Sequence, residues 1–536
     1  MAEQQVQPVE DRSHLQQGLD EIDTDTEKRG RIPFFLTKPE LKLLGIAGVG
    51  FFLDAYDLFV INQVSVMLQF RLYGGASLPT GLEGIMKAGA NIGCVVGQIS
   101  FGYLADHYGR KAIYGKELMI IIIATILSIA APTGQMSAEN VLIWVTCFRV
   151  LLGIGIGGDY PMSASVMADR AKIWKRGSLL AFIFTNQGYG SLAGSLVTMI
   201  VLACYKDAIE GHGQVSKIDG AWRIVVGVSL VPAFGTLYQR LTLPEAERYN
   251  KSKAMTHVNS NDELTLQKGQ NTVDSEKADN SDKADNSDKA DSIEKVAETP
   301  VVSKQDHFRE FRIYMSEWRH LKILIGTAVC WFLVDIAFYG INLNQSVVLQ
   351  QIHFDGKGAS PWHKMFKIAT GNLIITALGF VPGYWVSTVL VEYVGRRPIQ
   401  IGGFLLEALF LAILAGKFHT LSTASFVALF TLLQFFFNFG ANMTTFLYPA
   451  EVFPTKFRAT AHGISAASGK CGAIISSLAF NTLSKHVGTP VVLWIFFGVS
   501  ILGAVFTLLL PEVMGRDPDE VYRQELEEAR LARASQ

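Results

Sequence analysis

The chain has 536 residues, of which 49% are hydrophobic and only 18% charged, and its formal net charge is −1. That balance gives no basic character suited to nucleic acid, while apolar runs of about 20 residues, enough to cross a bilayer, recur along nearly the whole length. The composition is that of a polytopic membrane protein whose surroundings are the lipid bilayer. Residues 1 to about 30 are polar and acidic, without the basic start and apolar core of a cleavable signal, so the first span is expected to act as its own insertion signal. Five cysteines (Cys94, Cys147, Cys204, Cys330, Cys471) fall inside apolar spans. Their odd number argues against a disulfide framework, and they read as small packing residues.

The first span is predicted from about Leu41 to Leu68. It holds Asp54 and Asp57, three apart on one helical face, with Tyr56 beside them. Intramembrane carboxylates are costly, so the pair reads as functional, with paired structural aspartates as the alternative. The second span, about Gly84 to Asp106, ends in Gly102-Tyr-Leu-Ala-Asp-His-Tyr-Gly-Arg-Lys111, a tight turn in which Asp106 is placed to cap the next helix. The third, about Ala112 to Ala131, starts with Lys116 and Glu117.

The fourth span, about Val141 to Ala168, carries Arg149-Val-Leu-Leu-Gly-Ile-Gly-Ile-Gly-Gly-Asp-Tyr-Pro161. On a helix Arg149 and Asp159 lie about 15 Å apart, the arginine towards one leaflet and the aspartate near mid-membrane. A charge there costs about 2.5–3.5 kcal/mol and needs a partner or a water-filled cavity. Glycines 153, 155, 157 and 158 would let a neighbouring helix or a small ligand approach the backbone. The fifth span, about Gly177 to Tyr205, carries Asn186 and Gln187, and the sixth runs from about Ala221 to Leu243.

From residue 245 to 319 the chain is charged and Ser/Asn-rich, with a tandem repeat over 275–291. Such a segment buries too little apolar surface to fold and reads as a disordered linker, although 308–318 alternates aromatics with Arg and Glu and is expected to form an interfacial helix. Six further spans follow, at about 321–343, 366–391, 398–416, 424–449, 460–486 and 490–510. The expected division is a tail (1–40), a six-helix bundle (41–244), the linker (245–319), a second six-helix bundle (320–511) and a C-terminal tail (512–536). Glu392-Tyr-Val-Gly-Arg-Arg397 echoes the turn after the second span, and repeated halves are the signature of an alternating-access transporter. The fold class is therefore all-α, twelve transmembrane helices in two pseudo-symmetric bundles. Lys and Arg gather in the loops on the side of both termini and the linker, which makes that side cytoplasmic.

In the seventh span Trp331, Asp335 and Tyr339 form one stripe, and in the tenth Gln434, Asn438 and Asn442 do the same. Lys470 sits among small residues in the eleventh. A lone ammonium there needs a carboxylate, and Asp57, Asp159 and Asp335 are the candidates. A cavity with surplus carboxylates admits an anion only when protons are loaded with it. Lys470 and the neutral donors of Tyr160, Gln187, Trp331, Tyr339 and Asn442 suit a small oxyanion. The pattern points to proton-coupled anion transport and leaves the anion open. No nucleophile–base or metal-ligand spacing appears in the exposed segments, so neither an enzyme nor a cofactor is read from the chain, and the oligomeric state is not set by it.

Gly102–Lys111, Pro244–Arg248, Glu392–Arg397 and Pro449-Ala-Glu-Val-Phe-Pro454 resemble loop motifs of the major facilitator superfamily, in its sugar-porter-related branch. Asp54-Ala-Tyr-Asp57, Gly157-Gly-Asp-Tyr-Pro161 and Trp331-Phe-Leu-Val-Asp335 resemble the fungal and plant phosphate:proton symporters. The resemblance implies uptake of inorganic phosphate with protons, most naturally at the plasma membrane. It places Tyr160, Gln187, Trp331, Asp335, Tyr339, Asn442 and Lys470 at phosphate, and Asp54, Asp57, Glu117, Arg149 and Asp159 in proton coupling. Pro244-Glu-Ala-Glu-Arg248 departs from the family pattern, in which a small residue and proline follow the glutamate. A carrier of organic phosphodiesters or another small anion, and a phosphate sensor on the same fold, are the other readings.

Overall fold

The computed structural model describes residues 36–243 and 306–534, residue 357 excepted. The N-terminal tail to residue 35, the 244–248 loop motif and most of the expected linker, its repeat included, lie outside the described residues. Among the described residues the secondary structure is helical throughout, with no strand.

Among the described residues there are twelve spans, six within 36–243 and six within 306–534. The first half comprises Lys38–Phe59 continued by Ile61–Tyr73, then Thr80–Tyr108, Arg110–Ile113 with Lys116–Ile129, Ala138–Arg170, Arg176–Cys204, and Ile218–Gly227 with Leu230–Leu241. The second half comprises Trp318–Asn342, Pro361–Val394 in two helices around a π turn, Arg396–Lys417, Thr423–Phe439 with Ala441–Val452, Arg458–Val487, and Thr489–Phe506. A helix, Asp306–Ser316, covers most of the segment expected to be interfacial.

Ten of these spans are both long and apolar enough to cross a bilayer. The second and eleventh, Thr80–Tyr108 and Arg458–Val487, are long enough but less apolar. Their glycines, serines and charges gather on the faces that meet protein, while Val96, Ile99 and Ile475 are exposed on the outside. The two spans pack against each other across the junction of the two halves, where a Cβ on Gly463 would overlap the Gln98 carbonyl and one on Gly102 would lie 2.6 Å from that of Ala459. Apolar side chains such as Ile200, Leu502 and Val505 stand half-exposed on the outside, where lipid would cover them. Cys94 and Cys330 are buried packing residues, whereas Cys147, Cys204 and Cys471 are exposed on the outer surface, so the packing role holds for two of the five.

The halves meet at both ends of the spans. At the arginine-rich end Asp169 is paired with both Arg110 (3.1 Å) and Arg458. There Asp106 caps the eleventh span, accepting from the backbone N–H groups of Ala459 (3.3 Å) and Thr460 (2.7 Å). The sequence had placed that cap on the next helix; the crossing of the second and eleventh spans brings a distant helix N-terminus closer. Glu392 accepts from the Ser178 N–H (3.0 Å) across the same junction. At the opposite end Lys87 donates to Asn344 Oδ1 (3.0 Å), the Ser346 N–H to Asn62 Oδ1 (3.2 Å), and Trp362 Nε1 to the Leu202 carbonyl (2.7 Å). The halves are thus in contact at both ends of the spans.

Candidate functional site

Two buried charge clusters lie between these contacts. The first sits on the junction of the halves and is built around Lys470. The eleventh span can bring an ammonium here because Gly469 and Gly472 let it approach the seventh. A Cβ on Gly469 would come within 2.5 Å of Trp331 Cδ1, and one on Gly472 would overlap the Phe332 carbonyl. Lys470 Nζ then donates to Asp335 Oδ2 (3.0 Å) and to the Tyr339 hydroxyl (2.7 Å). Of the three candidate carboxylates, the partner is Asp335. Nζ also lies 5.3 Å from the ring centre of Tyr160, which comes from the other half, so the ammonium touches both. Trp331 lies beside Tyr160, with ring centres 6.5 Å apart.

A neutral chain runs from the same tyrosine. Gln187 Nε2 donates to the Tyr160 hydroxyl, the Tyr384 hydroxyl donates to Gln187 Oε1 (3.2 Å), and Asn442 Nδ2 donates to Tyr384 (2.8 Å) and to Asn438 Oδ1 (3.0 Å). The stripe of amides in the tenth span is interrupted by a break at Gly440. Asn438 and Asn442 nevertheless stay within reach of each other, while Gln434 turns to Asn342 (2.7 Å). Asn186, beside Gln187, bonds back to the Phe182 carbonyl of its own helix and faces away from the chain.

The second cluster lies wholly within the first half. Asp159 is paired in bidentate fashion with Arg240, at 3.0 Å for each contact, and accepts from Ser163 Oγ (2.6 Å). Arg240 Nη1 also reaches Glu117 (3.1 Å), and its guanidinium lies 4.9 Å from the ring centre of Tyr114. All three ionisable side chains are fully buried. The planar fork holds Asp159 with two parallel hydrogen bonds and still reaches Glu117, a bidentate geometry that a lysine does not offer. The pair rests directly on the first span: a Cβ on Gly50 would overlap both Arg240 Nη2 and Asp159 Oδ2. Asp54, one turn further along the first span, is buried, and neither carboxylate oxygen has a hydrogen-bond partner among the described residues. Arg149 donates to the backbone carbonyls of Asp57 (3.1 Å) and Met86 (3.2 Å), not to the Asp57 carboxylate.

The glycines of the fourth span serve its neighbours. A Cβ on Gly153 would overlap the Ala90 carbonyl, one on Gly157 the Cys94 carbonyl, and one on Gly155 would sit 2.7 Å from the Glu117 carbonyl. Of the two visitors the sequence allowed, helix or ligand, close helix packing is what these positions admit.

Residues 43–524 match the family described as "Sugar (and other) transporter". The chain belongs to that family. The transporter is 47% identical to a Schizosaccharomyces pombe protein named as a candidate inorganic phosphate transporter, over 95% of this chain and 92% of the relative. It is 38% identical to the inorganic phosphate transporter PHO84 of Saccharomyces cerevisiae (92% and 86%) and 36% identical to the repressible high-affinity phosphate permease of Neurospora crassa (90% and 86%). Among solved structures it resembles the major facilitator superfamily proton:xylose symporter XylE, with a TM-score of 0.67 at 19% identity over 90% of this chain and 98% of that one. The twelve-helix fold of that superfamily is therefore the fold of this transporter.

Arg240, Tyr114 and Ser163 of the inner cluster and Tyr384 of the junction chain carry no motif in the sequence. Arg240 stands near the end of the sixth span and reads as an interfacial charge. Its spacing of four residues from Thr236 and seven from Ala233, on one helical face, was the available signal. Tyr384 lies in an eighth span whose hydroxyl-bearing face, Tyr384, Ser387 and Thr388 with Val391, follows the same spacing.

Proposed function

We propose that this transporter takes up inorganic phosphate together with protons by alternating access, acting as a carrier rather than an enzyme. The observation that carries the reading is Lys470. It is a buried ammonium held by one carboxylate and one tyrosine of its own half, against a tyrosine of the other. An oxyanion arriving there would replace Asp335 as counter-charge and would draw Tyr160, Gln187, Trp331, Tyr339 and Asn442 onto its oxygens. Because its ligands would come from both halves, its binding favours the closed arrangement over either open one. The relatives named for inorganic phosphate supply the identity of the anion.

In this reading protons travel through the other cluster. Asp159 and Glu117 share one arginine, and Asp54 has no hydrogen-bond donor among the described residues. An uncompensated buried carboxylate is expensive, so a proton on Asp54 relieves the cluster, and passing it between Asp54 and Asp159 changes what Arg240 must neutralise. Arg149 would hold the first span through its carbonyl bonds, with Asp57 beside it. The transporter would sit in the plasma membrane with both termini and the 245–319 linker cytoplasmic, as the arginine-rich loops suggest. The test is uptake of radiolabelled phosphate by reconstituted vesicles with and without an imposed pH gradient. Gradient-dependent accumulation supports the proposal; the absence of phosphate uptake under either condition rejects it.

A further inference from the structure

We propose a second, outer phosphate site, distinct from the Lys470 site, that admits the partly protonated anion before it reaches the centre; this rests on the phosphate-uptake reading above. A small cavity lies between the two halves at the end of the spans opposite the arginine-rich loops. It is lined by Asn62, Gln63 and Ser195 from one half and by Asn342, Gln345 and Asn372 from the other, with aromatic rings, Phe59 among them, completing the wall. No charged side chain lines it among the described residues.

The aromatic part of the wall separates the cavity from the centre. Phe59 stacks on Tyr339, with ring centres 5.7 Å apart, and meets Phe380 at 6.1 Å and Phe338 at 5.9 Å. Tyr339 is the residue that accepts from Lys470, and Asn342 follows it by about 4.5 Å along the same helix. The outer cavity and the central ammonium are thus separated by a single aromatic layer. Movement of Phe59, which precedes the break in the first span at Val60, would connect them.

The hydrogen-bonding capacity left in the wall identifies the guest. Gln63 is satisfied by Ser195 and Thr198, and Asn342 by Gln434 and the Phe338 carbonyl. By contrast Asn62 uses its oxygen for the Ser346 N–H and leaves its amide donors over, and the Gln345 side chain bonds to no described residue. Ser195 accepts from Gln63 with its own proton still to give. Asn372 spends its nitrogen on Ser346 Oγ (3.2 Å), and its Oδ1, in a residue 3% exposed, has no partner among the described residues. The cavity therefore presents several neutral donors and one fixed acceptor. Donors suit any oxyanion, but the acceptor requires a guest that carries a proton. Dihydrogen phosphate has P–OH groups to give it. Sulfate has none, and would face the Asn372 oxygen with its own. The absence of a cation keeps the site weak enough to release its guest inwards.

The test uses the full-length protein in vesicles under a pH gradient, with initial phosphate uptake measured against concentration, with and without excess sulfate. Asn372→Leu should raise the phosphate KM about tenfold with kcat within about twofold, as losing one hydrogen bond to an anion implies, and should let sulfate compete where it does not in the wild type. Gln345→Leu breaks no bond within the protein, so folding is preserved, and should raise KM several-fold without admitting sulfate. Wild-type KM and unaltered sulfate exclusion in both variants would overturn the outer site. If the wild type itself took up no phosphate, the proposed function would fall instead.

Discussion

The two charge clusters are built on opposite principles. At the junction, one cation meets one carboxylate, and the remaining partners are neutral rings and amides from both halves. Inside the first half, Arg240 faces Asp159 and Glu117, with Asp54 near them lacking a hydrogen-bond partner among the described residues. A balanced pair at a moving junction can exchange its carboxylate for an arriving anion. A cluster with more acids than cations, locked within one rigid bundle, can balance itself only by taking up protons. On the proposed reading, the contrast separates anion chemistry from proton chemistry in space and leaves their coupling to the motion of the halves.

The largest expected effect breaks the junction cluster. Lys470→Ala removes the cation and leaves Asp335 buried and unpaired, which should weaken phosphate binding by at least about 100-fold and flatten the pH dependence of what remains. Binding to purified protein at two pH values checks this, and unchanged affinity would remove the anion role. Lys470→Arg should rescue poorly, because a bulkier planar group must fit beside Gly469 and Gly472.

Next comes the inner cluster. Gly50→Ala puts a methyl where Arg240 and Asp159 now meet, so the pair must part or the first span must shift. Gradient-driven accumulation should fall at least tenfold, while phosphate binding to the purified protein stays within about threefold. Equal loss of both would show that the clusters are not separable. A smaller effect sharpens the junction side: Tyr384→Phe removes the hydroxyl linking Gln187 to Asn442 and should raise the phosphate KM about five- to tenfold with little change in pH dependence.

The smallest effect is expected outside both clusters. The Asp306–Ser316 helix sets His307 against Tyr103 and His107 of the second span and against Phe457, while Lys456 pairs with Glu310 at 2.9 Å. Burial, aided by Lys456 and His107, pushes the His307 imidazole down from 6.5 to about 4. The docked helix thus favours the neutral ring. Docking is at full strength above pH 6.5, weakens as pH falls because the released ring takes up a proton first, and bottoms out near pH 4. Hydrogen exchange of residues 306–316 across that window should rise as pH falls, after correction for the intrinsic rate, and His307→Phe should abolish the trend.

Much of this was legible in the sequence because membrane insertion makes each polar residue conspicuous. Asp54, Asp159, Asp335 and Lys470 stand out from apolar surroundings, and the repeated turns revealed two halves. Which charge pairs with which was not legible. Asp335 rather than Asp57 or Asp159 faces Lys470 because Gly469 and Gly472 draw the eleventh span onto the seventh, a tertiary contact with no local signature. Arg240 was obscured by its place near a span end, where an arginine ordinarily faces water or headgroups. The second and eleventh spans were found by length even though their hydropathy is low, and the reason for that low hydropathy, contact with each other, appeared only in three dimensions.

The central claim is that the anion and the protons occupy separate clusters joined by motion. Asp159→Asn tests it most directly, since Arg240 keeps Glu117 as a partner while one titrating group is lost. In reconstituted vesicles two rates should be measured for this variant: phosphate accumulation driven by an imposed pH gradient, and exchange of phosphate for phosphate with no gradient. The account expects accumulation to vanish while exchange persists within about threefold of the wild type. Wild-type accumulation, or loss of exchange in a correctly folded protein, would contradict it.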